Sequence, residues 1–206
     1  MQRWRIPDTH KHLDLDTRAL KAALIPLMPQ EHQCMYLSPA TLIVVPFPLI
    51  EQWEQEIAKH FRGDHIRVCV ITKKSEYPRY TCDLAWSYDV VLTSFTHLSS
   101  SVSKRLLRIH WLRVVLDEGH VLGATLGQTS RKERINALQA ERRWIITGTP
   151  TPDLAHQSTV SHLYPLIQFL KIMPFATVKK LWENFIRKPF EAGLPEGRVI
   201  LLIKCV

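Results

Sequence analysis

The chain has 206 residues, is 46% hydrophobic and 22% charged, and carries a formal net charge of +8. Such a length can bury a substantial core, and such an apolar share excludes a disordered chain. The basic excess favours an acidic partner, nucleic acid being the commonest for a basic protein, against the plainer reading of a solvated basic surface.

The first 38 residues carry no assignable fold. They open with Arg3, Arg5, His10, Lys11 and His12, and Met1 to Pro7 lacks the uninterrupted apolar stretch of a secretory signal. His10 and His12 could in principle bind a metal, but exposed histidines without further ligands usually do not. Thr41 to Val45 is then an apolar run that predicts a strand ending at Pro46. The longest apolar tract, 40–50, contains Thr41, Pro46 and Pro48 and falls far short of the roughly 20 residues a bilayer span needs, so no membrane partner is expected. After Pro48 at a plausible first helical position, Leu49, Ile50, Trp53, Ile57 and Phe61 recur at three- and four-residue steps, marking one face of a helix that Gly63 ends.

A second strand is predicted over Ile66 to Ile71, with Cys69 as a small buried hydrophobe. The four cysteines, Cys34, Cys69, Cys82 and Cys205, show no C-x-x-C pairing, and the ten histidines show no zinc-finger spacing. Neither disulfides nor protein-bound zinc is expected, and a reducing compartment fits. Tyr77 to Trp86 reads as an irregular connection, Asp89 to Leu92 as a strand, and Ser99 to His110 as a helix whose Lys104, Arg105 and Arg108 form a solvated basic face.

Trp111 to His120 is an apolar strand, Arg113 to Leu116 at its centre, that stops at two carboxylates, Asp117 and Glu118. Trp144 to Ile146 is a further strand, and it runs into Thr147, Gly148 and Thr149. Strands separated by helical or loop-like segments predict an α/β fold with a parallel sheet. Beyond Pro152 the period turns helical over Leu163 to Ile172 and Val178 to Ile186, with Pro165 and Pro174 limiting the helices. The closing stretch Arg198 to Val206 is apolar and uncapped and reads as an element cut short, which suggests a fragment or truncated product.

Ligands of open α/β sheets bind beyond the carboxyl ends of the strands, where Asp117 and Glu118 fall. A first carboxylate can hold Mg²⁺ through water, because that ion sheds its hydration reluctantly, while a second positions or deprotonates the attacking water. Taken alone, the pair is equally an ordinary solvated turn. The small residues Thr147 and Gly148 at a second strand end let backbone and hydroxyls approach a phosphate or a carboxylate.

Four segments in order, Thr41-Leu-Ile-Val-Val-Pro46 with Leu49, Gln52, Trp53 and Glu56, then Tyr88 to Phe95, Asp117 to His120, and Thr147 to Pro150, resemble motifs Ia, Ib, II and III of the Swi/Snf-type DNA translocases, a branch of the superfamily-two helicases. Phe169 to Phe175 and Trp182 to Phe190 are similar to segments that follow motif III there. The Asp-Glu-Gly-His spelling, with Gly119 where many relatives carry alanine, is similar to the repair-associated and F-box- or RING-linked branch. The resemblance implies a RecA-like parallel sheet flanked by helices, incomplete at its N-terminus, with a helical protrusion. It places a partial ATP-binding lobe over 39–153 and a truncated protrusion over 154–206.

The resemblance also implies roles. ATP and Mg²⁺ would be the cofactors, with Asp117 holding the metal through water and Glu118 activating the hydrolytic water. His120, Thr147, Gly148 and Thr149 would complete the nucleotide side and couple it to motif III. Pro46, Thr93 and Ser94 would approach the DNA backbone, giving sequence-independent, salt-sensitive binding. Each has a plainer reading: Thr93 and Ser94 as helix caps, Pro46 as a strand end, and Trp53 and Trp182 as packing residues. The glycine-lysine loop that cradles phosphates is missing, since no glycine precedes Gly63. A nuclear repair or remodelling ATPase, inactive alone, is the first expectation, with nucleosome or ubiquitin-ligase components as further partners. The second is a degenerate fold that binds DNA or protein without turnover, within an F-box or RING ligase-type protein.

Overall fold

The computed structural model describes residues 35–61, 65–124, 129–148 and 159–194. The expected parallel sheet is present. Its strands are β1 (Tyr36–Val45), β2 (Val68–Ile71), β3 (Val90–Ser94), β4 (Ile109–Asp117) and β5 (Gln139–Ile146), in the order β2-β3-β1-β4-β5. Every adjacent pair is parallel. Contacts divide the chain after Met35, and the unit from Tyr36 onward holds all of these elements.

Alternation along each strand divides the apolar residues between two faces. Leu42 and Val44 of β1, Val91 of β3, and Val114 and Leu116 of β4 belong to the larger core. That core is completed by Leu84 and Ala85 of α2 (Thr81–Trp86), Phe95 and Leu98 of α3 (Phe95–Leu98), Ile135 of α5 (Thr129–Ala137), and Leu166 and Phe169 of α6 (Tyr164–Leu170). The alternate residues Ile43, Val45 and Leu92 pack with Ile50 and Trp53 of α1 (Ile50–His60) on the opposite face. The result is a helix–sheet–helix sandwich at the centre of the sheet, while the edge strand β5 leaves Trp144 and Ile146 exposed.

α1 lies where the three- and four-residue apolar steps predict it, with Glu51 in its first turn and Lys59 and His60 in its last, each sign opposing the helix dipole. Cys69 is buried, and burial pushes its thiol up to about 11. Three strands are longer than their apolar centres. β1 begins at Tyr36 because a register shift between Ser38 and Thr41 accommodates Pro39; the Ser38 hydroxyl there donates to Ala85 O and accepts from Ala40 N. β4 and β5 likewise extend upstream, to Ile109 and Gln139.

Two expectations are corrected. The connection over Tyr77 to Trp86 contains α2, a helix too short to show a period and without a side-chain N-cap; burial of Thr81, Leu84 and Ala85 holds it in place. The segment Ser101–Arg108 is a 3-10 helix, and its arginines do not form a free basic face. Arg105 lies 5.1 Å from the Tyr77 ring centroid and donates to Thr81 Oγ1, and Arg108 lies 5.8 Å from the Tyr36 ring centroid. Both cations are spent on packing against π faces; Lys104 alone of the three is exposed.

The two downstream helical stretches are α6, with Pro165 in its first turn, and a helix running through α7 (Lys179–Trp182), a π turn (Glu183–Arg187) and α8 (Lys188–Glu191). They share a separate core of Val160, Ile167, Phe175, Trp182 and Ile186, in which Trp182 is buried and its ring stands 5.4 Å from that of Tyr164. Trp182 is a packing residue. α4 (Val121–Ala124) follows the turn after β4. No helix among the described residues is long and apolar enough to cross a membrane.

His97 of α3 gives the fold a pH dependence. It is buried, its Nε2 lies 3.0 Å from the Tyr77 hydroxyl, and burial pulls its imidazole below the ordinary 6.5, against the smaller raising effects of Thr72 and Glu76. An unfolded histidine therefore takes up its proton before the folded one does as pH falls. The stability contribution is full above pH 6.5 and is lost as pH drops through the lowered folded value. The urea midpoint should fall between pH 7.5 and pH 5.5, and His97→Asn should flatten that slope; an unchanged slope would remove His97 as its source.

Candidate functional site

Parallel register carries the strand ends to one rim. Val45 pairs with Ser94, Ile71 with Thr93, and Asp117 with Ile146. The rim thereby gathers Pro46, Thr93, Ser94, the turn Asp117 to His120, and Thr147 with Gly148. Thr149 and Pro150 lie outside the described residues.

The acidic turn is held from several directions. Asp117 Oδ1 accepts from the Glu118 amide at 3.0 Å, and Oδ2 accepts from the Trp53 indole N–H at 2.7 Å. His120 Nδ1 lies 3.0 Å from Glu118 Oε2 and 3.0 Å from Thr147 Oγ1, so one protonated nitrogen can serve both oxygens and tie the β4 turn to the end of β5. The Gly119 amide donates to Ile146 O at 3.2 Å, and that of Val121 to Glu118 O at 3.0 Å. Glu118 sits in the left-handed region at φ 51, a conformation that costs a non-glycine residue roughly 1 kcal/mol or more and that these bonds maintain. Its carboxylate thereby leans toward His120 and remains partly open to solvent, with 38% of the side chain exposed.

Gly119 answers to a packing constraint that its sequence position does not reveal. A Cβ added there would meet Ile145 Cγ2 at 2.5 Å, because Leu116 and Ile145 are register partners and Ile145 fills the space above the turn. Ile145 is branched at Cβ and cannot swing its Cγ2 methyl aside cheaply. Gly119→Ala should destabilise the chain by about 1–3 kcal/mol. Ile145→Ala should relieve the clash, so the double variant should lose less than the sum of the single losses in urea unfolding. Strict additivity would refute the contact. Gly148, by contrast, is exposed, and an added Cβ there would meet nothing within 4 Å.

The rim residues nominated for DNA are placed differently. Thr93 is buried and its hydroxyl donates to Ile71 O at 2.7 Å; Ser94 is buried and caps α3, its Oγ accepting from the His97 amide at 3.0 Å. Both hydroxyls are committed within the fold, and Pro46 is half-buried where β1 ends. Trp53, read from the sequence as packing, does pack under the sheet but also bonds Asp117 across 64 positions of chain. The sole sequence signal for that contact was the general need of a half-buried indole N–H for an acceptor. Trp53, Gln52, Glu56 and Asp117 line an open groove of about 290 Å³.

The donor set fits a hydrated hard cation. Asp117 offers carboxylate oxygens from a fixed rotamer, and the second carboxylate and the imidazole stand at hydrogen-bonding distance from each other, suited to ordering water.

A model of the SNF2-related domain matches residues 17–204. The chain is 42% identical over 204 residues, 97% of its length, to an F-box protein of Arabidopsis thaliana, of which it spans 14%. It is 34% identical over 174 residues to the DNA repair protein RAD5A of the same plant, matching 81% of this chain and 16% of that one. To the helicase-like transcription factor of Mus musculus it is 32% identical over 174 residues, 80% of this chain and 16% of that one. The chain thus spans about one-seventh of the curated relatives it matches. Among solved structures, a Sulfolobus solfataricus SWI2/SNF2 ATPase core in complex with dsDNA shares its fold with a TM-score of 0.63 at 22% identity, covering 82% of this chain and 32% of that one. Its five-stranded parallel sheet is that of a RecA-like ATPase core, and with nearly its whole length matched, the chain belongs to the SNF2-related domain family.

Proposed function

We propose that this chain is a lobe of a nuclear, ATP-driven DNA translocase of the repair and remodelling type, and that the turn after β4 is its hydrolytic edge. The supporting observation is the link from Glu118 through His120 to Thr147, which joins two strand ends at the rim where open sheets bind ligands. Asp117 is the carboxylate that holds Mg²⁺ through water. Glu118 positions and deprotonates the water that attacks the phosphoryl group, and His120 keeps that carboxylate aimed while reporting its state to Thr147. Gly148 leaves room for a phosphate beside it, and Thr149 would complete the nucleotide side. When bound, Mg²⁺ neutralises the charge that develops on the phosphoryl oxygens.

DNA binding belongs to the same reading, since the net charge is +8 and a solved core of this fold carries dsDNA. Contact near Pro46 and the end of β3 would fall to groups beside Thr93 and Ser94 rather than to their hydroxyls, with affinity dropping steeply as salt rises. The test is DNA-stimulated ATP hydrolysis by this chain and by a form extended upstream to include a glycine-lysine loop. Negligible turnover by the first and DNA-stimulated turnover by the second are expected; turnover by neither would sink the proposal.

One observation favours a second reading. No glycine precedes Gly63, so this sequence supplies no phosphate-cradling loop ahead of β1. A non-catalytic scaffold for DNA or protein, set within an F-box or ubiquitin-ligase type of protein, would need none. Titration with a fluorescent nucleotide separates the two: a saturable, Mg²⁺-dependent signal abolished by Asp117→Ala excludes the scaffold, and no signal from the extended form supports it.

A further inference from the structure

The contact between Trp53 and Asp117 is absorbed neither by the fold nor by the proposed hydrolytic roles. Trp53 lies on α1, on the sheet face opposite the larger core, and its ring packs against the cluster of Ile43, Val45, Ile50 and Leu92. Packing alone would leave the direction of the indole N–H unspecified. It is instead 2.7 Å from Asp117 Oδ2, a short bond for a nitrogen donor and one made to a charged acceptor. Asp117 Oδ1 is engaged by the Glu118 amide at 3.0 Å. The carboxylate is thereby gripped at both oxygens, once by its own turn and once by a helix 64 positions away. Each oxygen keeps further lone-pair capacity for a water or a cation's hydration shell. Gln52 and Glu56, one on either side of Trp53 along α1, open the groove that Asp117 closes.

We propose that Trp53 is a positioning residue for the acidic turn: its indole N–H holds the Asp117 carboxylate in the single orientation from which it takes up a hydrated divalent cation. This rests on the reading of Asp117 as the cation-holding group. The physical argument is entropic and directional. A free aspartate side chain samples several rotamers, and a water-mediated contact to a cation is satisfied by few of them. Groups that orient a metal-holding side chain typically govern about 10- to 100-fold in metal affinity. Phe at this position would keep the packing and lose the bond, which separates a positioning role from a structural one.

The experiment uses the chain labelled with ¹⁵N in its indole nitrogens, of which the six tryptophans supply the signals. Trp53→Phe identifies the Trp53 resonance. In Asp117→Ala that resonance should move upfield and exchange with solvent faster, while those of the buried Trp111 and Trp182 stay in place as evidence of an intact fold. A Trp53 resonance that stays put beside unmoved Trp111 and Trp182 overturns the proposal. Mn²⁺ alone is then titrated as the paramagnetic probe. It should broaden the Trp53 signal in the parent chain, not in Asp117→Ala, and water-proton relaxation should show about tenfold weaker Mn²⁺ binding by Trp53→Phe. Equal Mn²⁺ affinity in parent and Trp53→Phe overturns the positioning role while leaving Asp117 as the cation's holder. Absence of any Mn²⁺ effect in the parent chain, with the indole shift intact, overturns the cation reading itself and the positioning role that depends on it.

Discussion

In a form of the protein that hydrolyses ATP, Glu118→Gln should slow turnover about 10²- to 10⁴-fold while nucleotide affinity stays near that of the parent. The size follows from the role: a general base contributes in the transition state and little to the ground state, so its loss appears in kcat rather than in binding. The geometry makes glutamine a clean replacement. Its amide oxygen can still accept from His120 Nδ1, so the link to Thr147 survives and only the basic oxygen is removed. Steady-state hydrolysis alongside a fluorescent nucleotide titration reads the two quantities separately. Parallel loss of binding and turnover would reassign Glu118 to holding the turn together, a role its left-handed backbone makes the natural competitor.

Trp111→Ala should cost about 3–5 kcal/mol of folding stability, the range for truncating a large buried aromatic side chain. Trp111 is fully buried in the larger core, and its indole N–H donates to Leu106 O at 3.1 Å, so the substitution both opens a cavity and removes one of that carbonyl's hydrogen bonds, the Ile109 amide supplying the other. Against a total stability of about 5–15 kcal/mol, that loss should be visible as a large drop in the urea midpoint. Trp144→Ala is the control: Trp144 is 55% exposed, on the edge strand β5, and its truncation should stay within about 0.5 kcal/mol. Comparable losses at the two sites would mean that Trp144 is covered in solution.

The features that were legible in the sequence are those governed by local pattern. Short apolar runs mark all five strands, and they are clearest in β1 and β3, because a strand buried on both faces has no polar side to interrupt it. The helix of Ile50 to His60 was equally visible through its period, and its short neighbour at Thr81–Trp86 was not, since a helix of under two turns cannot display one. From sequence Arg105 and Arg108 look solvated, because their charge is a property of sequence, whereas the tyrosine faces they cover come from other elements.

What the sequence by itself determined is a parallel α/β chain of the SNF2-related type, with two adjacent carboxylates after one buried strand and small residues after the next. Tertiary structure alone decided which atoms meet: that His120 serves both Glu118 and Thr147, that Ile145 forbids a methyl at position 119, and that Trp53 grips Asp117. The reason is physical. Hydrophobic pattern is non-directional and is written residue by residue, whereas a hydrogen bond or a steric limit depends on sub-ångström placement that only strand register and helix docking supply.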